Sequence, residues 1–192
     1  MAQQWAAGER AILQELDSAV RGEGVRPAIE AIAARVEAAL AADPEAKLAW
    51  EPVPLEIYGV GLPAGIRSSW VFVLRAGTTS GAERHPNSHQ RMMAWRGSGD
   101  LQTWEGNRWQ SNLLAPDPAA LKNLTSAPTK NVGAGRELHL RWVSIPVNVW
   151  HKPVMGRDTW AVVSFHTVPA HELIEERGHP EEHTATRQRT YL

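Results

Sequence analysis

The chain has 192 residues, of which 43% are hydrophobic and 21% charged, and its formal net charge is −1. This length fits one domain with a sizeable core, and the balanced charge argues against a nucleic-acid-binding or membrane-binding face. Cysteine is absent, which excludes disulfides, thiolate metal sites and a cysteine nucleophile. No apolar run approaches the roughly 20 residues of a membrane span, and the amino terminus has no signal-peptide pattern. We therefore expect a cytoplasmic protein with neither nucleic acid nor membrane as a partner.

The first 48 residues predict two helices. Apolar residues recur at three- and four-residue steps over residues 12–20 and again over residues 29–40. Gly22 and Gly24 separate the two runs, and Asp43-Pro44 ends the second. Each helix has a single apolar stripe, so we expect the segment 1–48 to pack on the rest of the chain.

Residues 49–170 have the pattern of a β-domain. Alternating apolar residues between glycine-rich turns predict strands near residues 48–60, 69–75, 91–96, 101–104, 137–145 and 159–168. Pro52 and Pro54 favour an edge position for the first of these strands. Many short strands with helices only at the front predict a mainly β fold, an antiparallel barrel or jelly roll with two N-terminal α-helices.

Two segments fall outside this strand pattern. The proline-containing segment 111–135 is long enough to serve as a lid over a pocket. The segment 171–192 is polar, and we expect it to be a solvated or loosely docked C-terminal tail.

A concentration of potential metal ligands follows the second strand-like run. Glu83, His85, His89 and Gln90 lie within eight residues, and His151 follows a strand much later in the chain. Residues two apart on a strand face the same way, so Glu83 and His85 are expected to point together into the barrel. We predict that these two stretches meet in space and hold a metal ion.

The same two stretches resemble the motifs of the cupin superfamily. The first cupin motif is G-x5-H-x-H-x(3,4)-E-x6-G, and the run from Gly77 to Gly97 keeps its spacing throughout. The second motif contains P-x-G-x2-H, and the run from Pro146 to His151 keeps that spacing with Asn148 in place of the glycine. The resemblance covers roughly residues 55–168 and implies a cupin-type β-barrel, also called a double-stranded β-helix.

The departures from the cupin pattern concern the ligands themselves. Cupins of this type hold a metal with three histidines and a glutamate, and the matching positions here are Glu83, His85, Gln90 and His151. An acid therefore replaces the first histidine and an amide replaces the usual glutamate. Met155 also stands where the second motif has asparagine. The site is either a variant metal site or a cavity that has lost its metal.

Two histidines and one carboxylate, with positions left open, are typical of non-haem Fe(II) sites. Gln90 is a candidate fourth ligand or hydrogen-bond partner. His89 competes with Glu83 for the third ligand position if Pro86-Asn87 turns the chain. The divalent metal expected first is Fe(II), with Zn, Ni or Mn as alternatives.

The resemblance implies oxygenase chemistry, and we expect a dioxygenase-type metalloenzyme acting on a small organic molecule. A metal-dependent lyase or isomerase fits the same residues, with Glu83 as a catalytic general base if it does not bind the metal. The alternative from another class is a non-catalytic cupin that binds or senses a small molecule. We also expect a homodimer, as is common among cupins.

Overall fold

The computed structural model describes residues 5–117, 119 and 137–181, together with the backbone of residues 187–190. The helices are α1 (Ala7–Arg21), α2 (Arg26–Ala42) and α3 (Glu137–Arg141), with 3₁₀ turns at Leu55–Gly61 and Ala170–Glu172. The strands are β1 (Leu48–Pro52), β2 (Ser68–Leu74), β3 (Ala82–Arg84), β4 (Gln90–Arg96), β5 (Gly99–Glu105), β6 (Arg108–Gln110), β7 (Leu113–Leu114), β8 (Trp142–Ile145), β9 (His151–Met155), β10 (Trp160–His166), β11 (Ile174–Gly178) and β12 (Arg187–Thr190).

Within these described ranges the strands form two antiparallel sheets. The five-stranded sheet has the order β1-β2-β10-β4-β8. The seven-stranded sheet has the order β12-β11-β3-β9-β5-β6, with β7 also paired to β5. A buried apolar cluster that draws on both sheets fills the space between them. The predicted fold class, mainly β with antiparallel strands and two N-terminal helices, is confirmed.

The five-stranded sheet is buried on both faces. Along β10, Trp160 and Val162 point into the barrel core, while Ala161, Val163 and Phe165 pack against the helical layer. All seven residues of β10 are buried as a result. Strands covered on both faces lose the apolar–polar alternation of a one-sided sheet, which explains the continuous apolar texture of this segment.

Helices α1 and α2 supply the layer on the outer face of the five-stranded sheet. Leu13, Leu16 and Val20 of α1 are fully buried there, with Ile29 and Val36 of α2. The helical stripe seen in the sequence is therefore the buried face. Among the residues that the structure describes, no helix combines the length and apolarity needed to cross a bilayer.

The partly buried carboxylate of Asp17 links α1 to α3 and β8. Asp17 accepts hydrogen bonds from Arg141 Nε (3.0 Å), Arg141 Nη2 (3.0 Å) and Trp142 Nε1 (2.9 Å). Replacing Asp17 with alanine leaves Arg141 buried without this carboxylate, and we expect a loss of about 3 kcal/mol in the free energy of unfolding. Denaturant unfolding measures it.

The matched control is the exposed ion pair between α2 and β1. Arg35 pairs with Glu51, and its side chain is 58% exposed. Arg35→Ala is expected to lower the free energy of unfolding far less than Asp17→Ala, because exposed ion pairs contribute little. Equal losses for the two variants would contradict the role assigned to Asp17.

The Asp17 contribution also has a defined pH dependence. Burial alone would raise the pKa of Asp17, but hydrogen bonds from Arg141 and Trp142 and the charges of Arg141 and Arg21 outweigh burial and hold this pKa below its ordinary value of 3.8. The stabilisation is therefore present above about pH 4 and is lost as the pH falls through the lower folded-state pKa. The stability difference between wild type and Asp17→Ala should shrink in that acidic range.

Three of the sequence predictions differ from the structure. The first predicted strand ends at Pro52, and a 3₁₀ turn follows, because Pro52 and Pro54 lack the N–H groups that extend a ladder. Residues 137–145 begin as the helix α3 and become a strand only at Trp142. The supposed tail contributes strand β11, which pairs with β3. Most of the predicted lid, 118 and 120–135, lies outside the described residues.

Candidate metal centre

The register of three neighbouring strands sets up the site. Glu83 in β3 lies directly opposite His151 in β9, and on its other side opposite Arg177 in β11. Directly paired residues in antiparallel strands have Cβ atoms about 4.5–5.5 Å apart. Strand pairing therefore places a carboxylate between a histidine and an arginine.

Both candidate histidines have their Nδ1 atoms tied to the backbone. His85 Nδ1 lies 3.1 Å from the carbonyl oxygen of Ile174, and His151 Nδ1 lies 3.1 Å from that of Val149. A carbonyl only accepts, so each Nδ1 carries the proton and donates. In the neutral rings this leaves Nε2 with a free lone pair, the form in which histidine binds a metal.

Glu83, His85 and His151 each offer one potential ligand atom, and these atoms lie within 4.8 Å of one another. Two ligand atoms bound to one ion at about 2.0–2.2 Å are at most about 4.4 Å apart, so only a small contraction is needed. His151 Nε2 is buried without a hydrogen-bond partner, and it lies 3.6 Å from Glu83 Oε1. A buried lone pair without a partner is costly, and a metal ion between these residues would satisfy it.

The electrostatics prepare the group for a cation. Burial and the neighbouring charge of His151 lower the pKa of His85 to about 4, so that His85 is neutral at pH 7. Burial alone would raise the pKa of Glu83, but His151, His85 and Arg177 outweigh burial and lower this pKa below its ordinary value. The distance of 3.6 Å between Glu83 Oε1 and His151 Nε2 is too long for a hydrogen bond, so the two groups interact only electrostatically. Glu83 and His85 thus need to lose no proton at neutral pH before binding a metal.

The structure does not bring His89 into this group. The chain does turn at Pro86-Asn87, but His89 Nε2 lies 2.7 Å from Ser144 Oγ and 3.7 Å from Glu9 Oε1. These partners belong to the side of the five-stranded sheet that faces α1. His89, the alternative to Glu83 as third ligand, therefore makes its side-chain contacts outside the candidate metal site.

Gln90 does face the same cavity as Glu83 and His151. Its Nε2 donates to Ser164 Oγ at 3.1 Å, and its Oε1 is buried without a hydrogen-bond partner. Ser164 Oγ in turn lies 3.2 Å from His166 Nε2. Gln90 is thus held by a buried polar chain, with one amide atom left for a ligand or a metal.

The cavity next to these residues is small and mostly apolar. Its volume is about 40 Å³. The apolar lining comprises Phe72, Leu74, Met92, Leu101, Trp160 and Val162, among others. Drug-sized ligands occupy roughly 300–1,000 Å³, so the cavity in this form accommodates only a few atoms beside the candidate ligands.

The backbone conformation explains why Asn148 can stand where the second motif usually has glycine. Asn148 has a φ of 68°, and its N–H donates to the carbonyl of His85 at 2.9 Å. Asparagine is one of the few residues that tolerate the left-handed region, so it replaces glycine here without loss of the turn. This hydrogen bond also links the two motif segments directly.

Sequence reasoning missed Arg177. Arg177 Nη2 donates to Glu83 Oε2 at 3.1 Å, and Arg177 lines the cavity. The charges of segment 171–192 predict a solvated tail, yet Glu175 and Glu176 are buried. The signal that was present is a short apolar run, Leu173-Ile174, directly before the charged residues Glu175, Glu176 and Arg177.

Comparisons with known proteins leave the activity open. No family model and no curated protein matches the sequence. Among solved structures, oxalate oxidase in complex with the substrate analogue glycolate aligns at 15% identity and a TM-score of 0.42, over 64% of this chain and 51% of that one. Oxalate decarboxylase from Lactobacillus farciminis aligns at 11% identity with a TM-score of 0.42, over 64% of this chain and 29% of that one. The capsular polysaccharide assembling protein CapF from Staphylococcus aureus aligns at 12% identity with a TM-score of 0.42, over 65% of this chain and 29% of that one. The chain spans about half or less of the length of these structures, and likenesses this distant assign no activity.

Proposed function

We propose that this protein binds one divalent metal ion through His85, His151 and Glu83. The observation that supports this most strongly is the buried, unpartnered Nε2 of His151 beside the Glu83 carboxylate. Together with the neutral His85, these residues present two imidazoles and one carboxylate, the donor set typical of non-haem Fe(II) sites. Fe(II) is the ion we propose, with Zn, Ni or Mn as alternatives that the donor set also accepts.

The proposed activity is oxygenase-type chemistry on a small organic molecule. Three protein ligands would leave coordination positions of the metal free, and a metal held by these residues would supply the means to bind substrate and O₂ together. The protein's own contribution is orientation and exclusion of water. The apolar walls contributed by Phe72, Leu101 and Val162 keep the space beside the ligands dry, and Gln90 offers one hydrogen bond to what enters it.

Glu83 suits the role of ligand better than that of general base. A base works best when its pKa lies near the working pH, whereas the neighbouring His151, His85 and Arg177 outweigh burial and hold the pKa of Glu83 below its ordinary value. A carboxylate this acidic holds a proton poorly but remains a good anionic ligand. This disfavours the lyase or isomerase alternative in which Glu83 removes a proton from the substrate.

A second candidate is a non-catalytic protein that binds a small molecule in the barrel. The observation in its favour is that Glu83 already has a cationic partner in Arg177. The carboxylate is therefore compensated without a metal ion, and the cavity remains available for a ligand. The homodimer and the absence of nucleic-acid and membrane partners stay predictions.

Elemental analysis tests the metal proposal. Protein purified without an affinity tag or chelator is expected to carry about one ion per chain, and the double variant His85→Ala, His151→Ala is expected to carry almost none. His171→Ala is the matched control, because the His171 side chain is 71% exposed and lies outside the group. It should bind metal as the wild type does.

The result that would overturn the proposal is a wild-type protein that binds no metal after incubation with Fe(II), Mn(II), Ni(II) and Zn(II). Equal metal content in the double variant would overturn it too, because the ion would then lie elsewhere. Either result would turn attention to the second candidate and to the molecules that the barrel cavity binds.

A further inference from the structure

We infer that Arg177 is a positioning residue that holds Glu83 as a ligand through a single oxygen atom. The inference rests on the proposed metal site. It assigns a role to β11, the strand that the sequence presented as a tail.

Strand register makes the contact a property of the fold. Arg177 pairs directly with Glu83 across β11 and β3, and Glu83 pairs directly with His151 across β3 and β9. The three side chains therefore form one row across three strands, on the barrel side of the sheet. Changing the order of this row requires a shift of the whole strand and not only of a rotamer.

The two oxygen atoms of Glu83 have different partners. Arg177 Nη2 donates to Oε2 at 3.1 Å, while Oε1 lies 3.6 Å from His151 Nε2. The guanidinium thus occupies one oxygen and leaves the other directed toward the histidines. In this arrangement only Oε1 is available to a metal ion.

Arg177 is itself held from other directions. Its Nε donates to Glu175, a fully buried carboxylate, and its Nη1 donates to the carbonyl oxygen of Ser80 at 3.3 Å. The planar guanidinium fork meets these partners and Glu83 at once, which a lysine ammonium on a flexible stem does not reproduce. The orientation of Glu83 is thereby set before a metal binds.

One-oxygen binding has a consequence for the metal. A carboxylate without the arginine is free to bind an ion through both oxygens and to occupy one more coordination position. With Arg177 in place, that position stays open for a substrate or another small ligand. Residues behind the ligands commonly change metal affinity by about 10- to 100-fold when they are replaced.

Titration with Co(II), followed by visible absorption, tests the inference. Arg177→Met is expected to weaken Co(II) binding by about 10- to 100-fold and to change the shape and intensity of the absorption bands, because the coordination number changes. Arg177→Lys keeps the positive charge but loses the fork, so its spectrum should also differ from that of the wild type while its affinity falls less.

Arg84→Met is the matched control. Arg84 joins the same two strands, since it pairs with Glu176 in the register, and its Nε donates to the Glu176 carboxylate at 2.7 Å. Arg84 and Glu176 are the sequence neighbours of the Glu83–Arg177 pair, so their side chains lie on the opposite face of the sheet. Arg84→Met should leave the Co(II) spectrum unchanged.

Each outcome decides the matter. Wild-type spectra and affinities in Arg177→Met and Arg177→Lys would overturn the inference and leave the metal site intact. Equal spectral changes in Arg84→Met would also overturn it, because they would show a general effect of the β3–β11 pairing. No Co(II) binding by the wild type would overturn both the inference and the proposed function.

Discussion

Replacing Glu83 with glutamine is expected to lower the affinity for Fe(II) or Co(II) by at least about 100-fold. The substitution keeps the size of the side chain and removes its charge, so the two histidines would have to hold the ion without an anionic ligand. It also leaves Arg177 without the carboxylate that it contacts at 3.1 Å. Metal competition titration against a chelator of known affinity measures the loss.

Gln90→Leu is the comparison that assigns the third ligand. The sequence left Glu83, His89 and Gln90 as candidates, and the structure removes His89 from the group. If Glu83 is the ligand, Gln90→Leu should change metal affinity by no more than about 10-fold, since Gln90 then only borders the site. The reverse ranking, with Gln90→Leu as the more damaging variant, would contradict the assignment of Glu83.

Gly97→Ala is expected to have the largest effect on stability. Gly97 has a φ of +69°, and a Cβ at this position would lie 2.1 Å from the carbonyl oxygen of Thr159. The methyl group meets backbone that cannot move without shifting the adjacent strand β10. We expect a loss of at least about 4 kcal/mol, seen as failure to fold or as a large fall in the denaturation midpoint.

The control separates steric overlap from backbone conformation. Gly106 also has a positive φ, +56°, but a Cβ there meets no atom within 4 Å. Gly106→Ala should therefore cost only about 1–2 kcal/mol, the cost of a left-handed conformation in a residue with a Cβ. Similar midpoints for the two variants would show that the approach of Gly97 to Thr159 does not limit stability.

Local sequence patterns predicted most of the fold because the corresponding forces act over short distances. The apolar period of α1 and α2 identified the face that is buried, and the strongly apolar segments became β2, β4 and β10. The prediction failed at the end of β1, where the apolar alternation continues but Pro52 and Pro54 end the strand. It failed again at α3, because the five residues Glu137–Arg141 are too few for a helical period to be recognised.

The spacing of the two motifs was sufficient to nominate Glu83, His85 and His151, because residue spacing along a strand determines which side chains share a face. Spacing alone did not separate Glu83 from His89 or Gln90. That choice depended on which partners each side chain meets, and His89 meets Ser144 and Glu9 from elements far away in the sequence.

The sequence by itself determined the fold class, the buried faces of the helices and the two segments that meet at Glu83, His85 and His151. Only the tertiary structure decided that β11 joins the sheet and places Arg177 against Glu83. The reason is physical: a charged segment has no local signal for burial, because its charges become acceptable inside only when partners from distant strands compensate them. Arg177, Glu83 and Glu175 compensate one another in this way, and their pairing exists only in the folded sheet.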